Sequence, residues 1–386
     1  MSAPLTIIGA GMAGIGLLRQ VRGLDERRPV TLITADSGDD YSKPLLSTGF
    51  TKGLPPGRLA MRSALEVADQ LGAVVRTHSH VESIDPAART LRLGQETLLF
   101  GELVLATGAA PALPFMIPES LGDRVFTIND LDDYRDFHAA LSVLDRPARV
   151  TIIGAGLVGC EFADDLVGGG HRVSLVAPER APLARFLPEP LGRALAEAFR
   201  EAGIHLAMGC SLASLEAQGQ DLALALSDGR HLEADLVLVA TGLRPRTELA
   251  QAAGLEVGDS GVLTDRWLAT SAPGVYALGD VACVAGVNAM YVQPLQAAAR
   301  ALAKTLTGTP TPVSYGAWPV LVKTSLLPVV ALPPVARPVH WKIEGQGADL
   351  AALAEDERGR LSGFALTGSC VRRKVELARA APPLLG

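Results

Sequence analysis

The sequence has few of the residues that build a thiol or metal centre. Its four cysteines are far apart, and no two form a CxxC or CxxxxC pair; they are Cys160, Cys210, Cys283 and Cys370. This spacing contains neither a local redox disulfide nor a cysteine zinc clamp, and it favours a reduced intracellular protein. The seven histidines are scattered as well, so no metal site is predicted.

Long apolar runs and an excess of positive charge are also missing. The most apolar stretches, 103–117 and 326–336, are short and interrupted by Gly and Pro. The apolar N-terminus lacks the basic region of a signal peptide. We therefore expect a cytoplasmic protein that makes no membrane contact. The net charge of −6 gives no support to nucleic-acid binding.

The charge is unevenly distributed along the chain. Residues 310–386 hold nine Lys/Arg and six Asp/Glu, a net charge of +3, whereas the remainder has a net charge of −9. This basic C-terminal segment favours a contact surface for an acidic partner. A chance fluctuation over a short window is the alternative.

A glycine-rich motif near the N-terminus indicates dinucleotide binding. The apolar run 5–8 is followed by Gly9, Gly11 and Gly14 in the spacing GxGxxG, then by a helical pattern, a second strand at 30–34 and Asp36. In such a unit the glycines allow a tight turn, close approach of a pyrophosphate and close helix–strand packing. The acid accepts a hydrogen bond from a ribose hydroxyl.

The same unit occurs a second time. A strand at 149–153 precedes Gly154, Gly156 and Gly159, a helix follows, and Glu179 lies 20 residues beyond the last glycine. A single GxGxxG arises by chance in a glycine-rich chain, but two complete units, each with its acid, do not. At 386 residues the chain has room for two or three domains, and the pattern predicts an α/β fold.

Each repeat also has, near its end, an apolar strand that is followed by a Thr-Gly pair. The pairs are Thr107-Gly108 and Thr241-Gly242, each preceded by alanine, and they stand where the chain must leave one domain for the next. A strand followed by a glycine turn explains either one alone, but not the matched pair.

Downstream, Gly279-Asp280 places an acid after a short strand, where its carboxylate can hold a polyol hydroxyl. Pro294 is predicted to begin a helix that stops near Gly308. Strands are predicted at 318–323, 339–343 and 361–366, beyond a Thr/Pro-rich segment at 309–312 and around a Pro-rich one at 333–338. They indicate a small α+β domain.

Taken together, these motifs resemble the pyridine nucleotide–disulfide oxidoreductase superfamily over residues 1–310. The resemblance implies FAD at the first fingerprint and at Gly279-Asp280, and NAD at the second fingerprint. It also implies an α/β architecture of two Rossmann-like dinucleotide-binding domains plus a C-terminal α+β interface domain at 311–386. The FAD-binding domain would comprise 1–112 and 243–310, and the NAD-binding domain would be inserted at 113–242.

The segment after Asp36 separates this chain from the thiol-dependent branches of that superfamily. It reads Tyr-Ser-Lys43-Pro44-Leu-Leu-Ser-Thr48-Gly, with Thr48 where those branches carry cysteine. This segment and the stretch ending at Lys323 resemble the rubredoxin reductases. The resemblance places Lys43, Pro44, Glu161 and Lys323 in the flavin site. It also implies that Lys43 and Glu161 are the catalytic residues and form an ion pair with each other.

The function implied is hydride transfer from NADH to FAD, followed by single-electron transfer to rubredoxin or a similar small acidic iron protein. A flavorubredoxin or a ferredoxin is the alternative protein partner. Two other classes remain open: an NADH oxidase or quinone reductase without a protein acceptor, and a non-catalytic flavin-bound sensor. The absent cysteine disfavours a thiol-based oxidase, and the complete fingerprints disfavour the sensor.

Overall fold

A computed structural model describes residues 4–335 and 339–386. The strands are, in chain order, β1 Leu5–Ile8, β2 Val30–Ile33, β3 Asp40–Tyr41, β4 Ala60–Arg62, β5 Val74–Arg76, β6 Ser83–Asp85, β7 Thr90–Leu93, β8 Glu96–Leu99, β9 Glu102–Leu105, β10 Ala109–Pro111, β11 Val125–Phe126, β12 Arg149–Ile153, β13 Arg172–Ala177, β14 His205–Met208, β15 Leu212–Gln218, β16 Asp221–Leu226, β17 His231–Ala234, β18 Leu236–Val239, β19 Leu243–Pro245, β20 Val257–Gly258, β21 Gly261–Thr264, β22 Val275–Ala277, β23 Ala282–Val284, β24 Val320–Val322, β25 Val329–Leu332, β26 His340–Gln346, β27 Asp349–Glu355 and β28 Leu361–Thr367.

The α-helices are α1 Met12–Leu24, α2 Ala64–Leu71, α3 Leu131–Ser142, α4 Leu157–Gly168, α5 Glu189–Glu201, α6 Glu248–Ala252, α7 Val292–Leu306 and α8 Lys374–Ala380. Short 3-10 helices cover Lys43–Thr48, Pro56–Arg58, Glu119–Leu121, Gly279–Val281 and Gly368–Arg373. Over the described ranges, no helix is both long enough and apolar enough to cross a membrane.

The first sheet is parallel and has the strand order β22-β9-β1-β2-β5. Its central strands β1 and β9 are almost fully buried, as expected for a parallel sheet whose two faces are covered. Helix α1 crosses from β1 to β2 and packs against α7. Since β22 comes from residues 275–277, the sheet combines two distant parts of the chain.

The second sheet repeats this arrangement in the order β11-β18-β12-β13-β14, and its strands are also parallel. In both sheets the strand that leads into the glycine-rich turn lies beside the strand that ends in Ala-Thr-Gly. These are β1 beside β9 and β12 beside β18. The two repeats in the sequence therefore correspond to two Rossmann-like sheets, as predicted.

Two short strands join these units. β10 follows Gly108 and β19 follows Gly242, and they pair antiparallel with Ala109 opposite Pro245. The matched Ala-Thr-Gly segments therefore lead directly into the two strands that connect one sheet to the other. We call β10 and β19 the two-strand link.

The C-terminal region contains an antiparallel sheet in the order β24-β25-β28-β27-β26, followed by a 3-10 helix and α8. Of the strands predicted here, 318–323 is shorter in the structure, 339–343 extends to Gln346, and 361–366 matches β28 closely. Strands β25 and β27 were not predicted. The end of the Pro-rich segment, residues 336–338, lies outside the described residues.

Helix α7 begins at Val292, two residues before the predicted start at Pro294. Pro294 lies in the first turn, where backbone amides have no intrahelical partner and a proline costs nothing. Smaller differences affect α1, which continues to Leu24, and β2, which ends at Ile33.

Candidate flavin and nucleotide site

Of the three glycines in the first glycine-rich turn, only one has open space beside it. Gly9 has φ +112°, and a Cβ there would lie 2.2 Å from the Ala106 carbonyl oxygen. A Cβ on Gly14 would lie 1.9 Å from the Gly9 oxygen, whereas one on Gly11 would meet nothing within 4 Å. The outer two glycines therefore pack the turn against β9 and α1, and Gly11 faces space that a phosphate can enter.

The second turn has the same geometry. Gly154 has φ +113°, and a Cβ there would lie 2.4 Å from the Ala240 oxygen. A Cβ on Gly159 would approach the Gly154 oxygen to 1.9 Å, but one on Gly156 would meet nothing within 4 Å. Each turn opens a helix, α1 or α4, whose N-terminal amides are available to an anion.

The two acids differ in how they are held. The Thr34 hydroxyl and the Gly38 amide both donate to Oδ1 of Asp36, at 2.6 and 2.9 Å, which orients that carboxylate. The Glu179 side chain makes no hydrogen bond or ion pair with any residue in the described ranges, and it lies just beyond β13. Each acid follows the second strand of its unit, which is where an acid that binds a ribose diol is expected in this type of fold.

A second polar cluster surrounds Asp280. Gly279 has φ +79°, and a Cβ there would lie 2.8 Å from Cβ of Ala13 on α1. Burial raises the pKa of the Asp280 carboxyl, and the nearby Lys43 ammonium opposes the rise. The Asn288 amide donates to the Asp280 carbonyl at 3.1 Å, while its own buried oxygen has no partner among the described residues. An acid and a spare buried acceptor, beside a glycine that packs closely on α1, fit a polyol-linked dinucleotide such as FAD.

Replacing Asp280 by alanine is expected to weaken FAD binding by about 10- to 100-fold, because losing one buried acceptor costs about 1–3 kcal/mol. The flavin retained after dialysis, and titration of the apoprotein with FAD, measure the effect. Asp259→Ala removes an exposed acid from the same part of the chain and serves as the control. Unchanged flavin content in the Asp280 variant would place this carboxylate away from the flavin chain.

The predicted ion pair between Lys43 and Glu161 is wrong. Lys43 Nζ donates to Oδ1 of Asn129 at 2.7 Å. Glu161 instead pairs with the Lys323 ammonium and accepts the Lys323 amide at 3.0 Å and the Ser47 hydroxyl at 2.8 Å. Lys43 begins a 3-10 helix, with Pro44 in its first turn, and it is Ser47 at the end of this helix that faces Glu161.

Helix α4 holds two other parts of the chain through buried carboxylates. Asp164 accepts hydrogen bonds from the amides of Ser325 and Leu326, at 2.9 and 3.0 Å. Asp165 accepts from the amides of Phe50 and Thr51, at 3.1 and 2.9 Å. Together with Glu161, these side chains fix the helix behind the second fingerprint to the Lys43 segment and to the C-terminal region. The sequence contained no signal for these long-range partners.

The Ala-Thr-Gly residues contact the two-strand link. The Thr107 hydroxyl donates to the Arg246 carbonyl at 3.3 Å, and the Arg246 amide donates to the Gly108 carbonyl at 3.0 Å. The Thr241 hydroxyl donates to the Ala112 carbonyl, and the Ala112 amide donates to the Gly242 carbonyl at 2.9 Å. These four residues therefore connect the link to the ends of β9 and β18.

Cys160 lies beside the second fingerprint, but burial raises the pKa of its thiol. The thiol donates to the Ala155 carbonyl, 3.3 Å away. The structure therefore does not support a reactive, low-pKa cysteine at this helix N-terminus. Among the described residues no group of His, Cys, Asp and Glu is arranged to hold a metal ion.

Two Rossmann-like sheets, each with an open glycine turn, define the class of flavoprotein reductases with two dinucleotide-binding domains. The chain belongs to the pyridine nucleotide-disulphide oxidoreductase family, whose model matches residues 3–303. A second model, described as the rubredoxin binding C-terminal domain, matches residues 312–381. The predicted family and fold class are confirmed, and with them FAD and NAD(H) as the cofactors.

Full-length relatives support this assignment. The chain is 43% identical to a rubredoxin-NAD(+) reductase of Alcanivorax borkumensis, with 99% of each chain covered. It is 38% identical to a nitric oxide reductase FlRd-NAD(+) reductase of Aeromonas salmonicida, with 99% and 97% covered. A solved ferredoxin reductase of Rhodopseudomonas palustris is similar in structure, with a TM-score of 0.87, 26% identity and 98% and 95% coverage.

Proposed function

We propose that this protein is an NADH:rubredoxin oxidoreductase. The overall reaction oxidises one NADH to NAD+, reduces two rubredoxin molecules by one electron each and releases one proton. The observation that carries the proposal is the joining of two dinucleotide turns to a C-terminal region that matches a rubredoxin-binding domain. Helix α4 makes that junction through Glu161 and Asp164.

When bound, FAD supplies the change from two-electron uptake to one-electron release, and the protein supplies binding and orientation. We assign the FAD pyrophosphate to the turn of Gly9, Gly11 and Gly14, its ribose to Asp36 and its polyol chain to Asp280. Lys43, Pro44 and the Glu161–Lys323 pair are assigned to the flavin ring. Thr107 and Gly108 close this site where β9 enters the link.

NADH is assigned to the turn of Gly154, Gly156 and Gly159, with Glu179 on the ribose, and to Thr241 and Gly242 beside it. Lys43 and Glu161 act as separate groups, since each has its own partner. The catalytic role of Lys43 is to place positive charge where negative charge develops on flavin reduction. Glu161 orients Lys323, because its carboxylate binds both the backbone amide and the ammonium group of Lys323.

Stopped-flow absorbance tests the function in two half-reactions. NADH should bleach the flavin anaerobically, and added rubredoxin should restore its colour in two one-electron steps. If air reoxidises the flavin faster than rubredoxin does, the protein is an oxidase, and the proposal fails. If neither reoxidises it at a useful rate, the flavin serves as a sensor.

A flavorubredoxin is the second candidate acceptor. The observation that favours it is the 38% identity with the Aeromonas salmonicida protein over nearly the whole of both chains. Comparing the two acceptors at equal concentration in the second half-reaction decides between them.

We further propose the domain limits given by the sequence, with the FAD-binding domain at 1–112 and 243–310, the NAD-binding domain at 113–242 and the C-terminal domain at 311–386. We also propose that the protein works in the cytoplasm. Detection of activity in the cytosolic fraction of the cell tests this location.

Glu179 is expected to make the enzyme prefer NADH to NADPH, because its carboxylate can accept from a ribose diol and repels a 2′-phosphate. Glu179→Ala should bring the kcat/KM values for NADH and NADPH closer together, mainly by raising the value for NADPH. The neighbouring Arg180 is able to pair with that phosphate, so Arg180→Ala is the matched control and should reduce NADPH use. A ratio that already favours NADPH in the unchanged enzyme contradicts the assignment.

A further inference from the structure

Asn129 is buried, and both groups of its side-chain amide and its backbone N–H have hydrogen-bond partners. Its Nδ2 donates to the Ala109 carbonyl at 3.0 Å, and its Oδ1 accepts from Lys43 Nζ at 2.7 Å. Its backbone amide donates to Oδ2 of Asp133 at 2.8 Å. These partners fix the orientation of the side chain, because a flipped amide would turn its NH2 group toward an ammonium and its oxygen toward a carbonyl.

The location of Asn129 connects two parts of the proposed machinery. It directly precedes Asp130, which caps the first turn of α3 in the unit that carries the second fingerprint. Ala109 is the first residue of the two-strand link. The Asn129 side chain therefore reaches from one Rossmann-like unit, across the link, to a lysine that belongs to the other.

Lys43 depends on this contact for its position. In the described parts of the chain, Asn129 is the only hydrogen-bond partner of the Lys43 ammonium group. Burial lowers the pKa of the Lys43 ammonium, and the Asp280 carboxylate, close by, opposes that effect. The other charges that act on Lys43 are Arg246, Asp130 and Asp133. Without the amide oxygen, the ammonium is free to turn toward Asp280.

We propose that Asn129 is a positioning residue, which holds the Lys43 ammonium at the flavin and couples it to the two-strand link. The inference deepens the proposed function and rests on Lys43 lying beside the flavin. An amide suits this role because it accepts from an ammonium without neutralising its charge, which a carboxylate would do. A change in the contact between the two units at the link would therefore change the position of the Lys43 ammonium.

Two substitutions test the proposal. Asn129→Ala removes both side-chain contacts and should slow flavin reduction by NADH about 10-fold, with a much smaller change in the KM for NADH. Asn129→Asp keeps the shape and the acceptor but adds a negative charge beside Lys43. Both variants should lower the midpoint potential of the flavin and alter its visible absorption spectrum, which a purely structural role would not do.

Ser142→Ala provides a matched control in the same unit. It deletes a side-chain hydrogen bond at the other end of α3, donated to the His138 carbonyl at 2.8 Å, and Ser142 has no bond to Lys43. Its flavin potential should equal that of the unchanged enzyme. The inference is overturned if the two Asn129 variants leave the potential and the spectrum as they are in this control.

A double-mutant cycle separates the inference from the function on which it rests. If Asn129 acts through Lys43, Asn129→Ala should add little in a Lys43→Met background. Independent, additive effects on the potential contradict the coupling. If Lys43→Met alone leaves the potential unchanged, the proposed placement of Lys43 beside the flavin fails instead.

Discussion

Replacing Arg28 by methionine is expected to lower the free energy of unfolding of the first Rossmann-like unit by about 3–5 kcal/mol, as for other buried ion pairs that lose one partner. The Arg28 side chain is fully buried. It forms an ion pair with Glu102 at the start of β9 and donates to the Leu306 carbonyl at 2.5 Å, at the end of α7. The substitution leaves both groups without this donor.

The unfolding midpoint in urea, followed by the release of flavin fluorescence, reports on this unit. Arg27→Met changes the exposed neighbour by the same substitution and should shift stability by no more than about 0.5 kcal/mol. Arg28→Lys should lie between the two, because it keeps the charge but offers no bidentate fork. Equal midpoints for the Arg27 and Arg28 variants would show that solvation of Glu102, which is partly exposed, compensates for the loss.

The two fingerprints could be predicted because their physics is local. The geometry at Gly9 and Gly14, and again at Gly154 and Gly159, depends on a turn of a few residues and on one adjacent strand. The spacing of the glycines and the position of the acid are therefore visible in the sequence itself. The same holds for the Ala-Thr-Gly segments, whose role at the link follows from their matched positions.

The side-chain partners within the site could not be predicted in the same way. Lys43 and Asn129 are 86 residues apart, and Glu161 and Lys323 are 162 apart. Which ammonium meets which acceptor depends on how the C-terminal region and the link are placed against α4. The resemblance to a family supplied the residues that we propose for the flavin site but gave the wrong pairing.

Strand β27 shows a conflict between local preference and packing. Its sequence, DLAALAE, is composed of residues with high helix propensity, yet it pairs with β26 on one side and β28 on the other. Propensity alone would predict a helix at this position. Burial of its Leu and Ala side chains in the C-terminal sheet decides for a strand.

The basic residues of the C-terminal region differ in whether they form ion pairs within the protein. The sequence predicted that the basic C-terminal segment, which includes Lys323, Arg372, Arg373 and Lys374, forms a contact surface for an acidic partner. In the structure Lys323 pairs with Glu161, and Arg373 pairs with Glu344 at 3.1 Å. These two cations are partly neutralised by their partners.

Arg372 and Lys374 are better candidates for contact with an acidic acceptor. Arg372 is exposed, Lys374 is partly exposed, and neither forms an ion pair with a described residue. The 3-10 helix before Lys374 starts beside the segment held by α4, because the Gly368 amide donates to the Pro328 carbonyl at 3.0 Å. The 3-10 helix that carries Arg372 therefore begins next to the segment that follows Lys323 in the chain.

Reversing Arg372 and Lys374 to glutamate should slow electron transfer to rubredoxin by about 10- to 100-fold at low salt, while flavin reduction by NADH stays unchanged. Electrostatic steering raises association rates by roughly 10- to 1000-fold, and the effect fades as the Debye length shortens from about 30 Å at 0.01 M to about 10 Å at 0.1 M ionic strength. The second-order rate constant, measured by stopped flow across that range, should converge for the two proteins as salt increases. Arg27→Glu with Lys304→Glu produces the same change in net charge at exposed positions outside the C-terminal region and should have a much smaller effect. A rate constant that responds neither to ionic strength nor to the reversal would mean that the acceptor docks away from the 3-10 helix and α8.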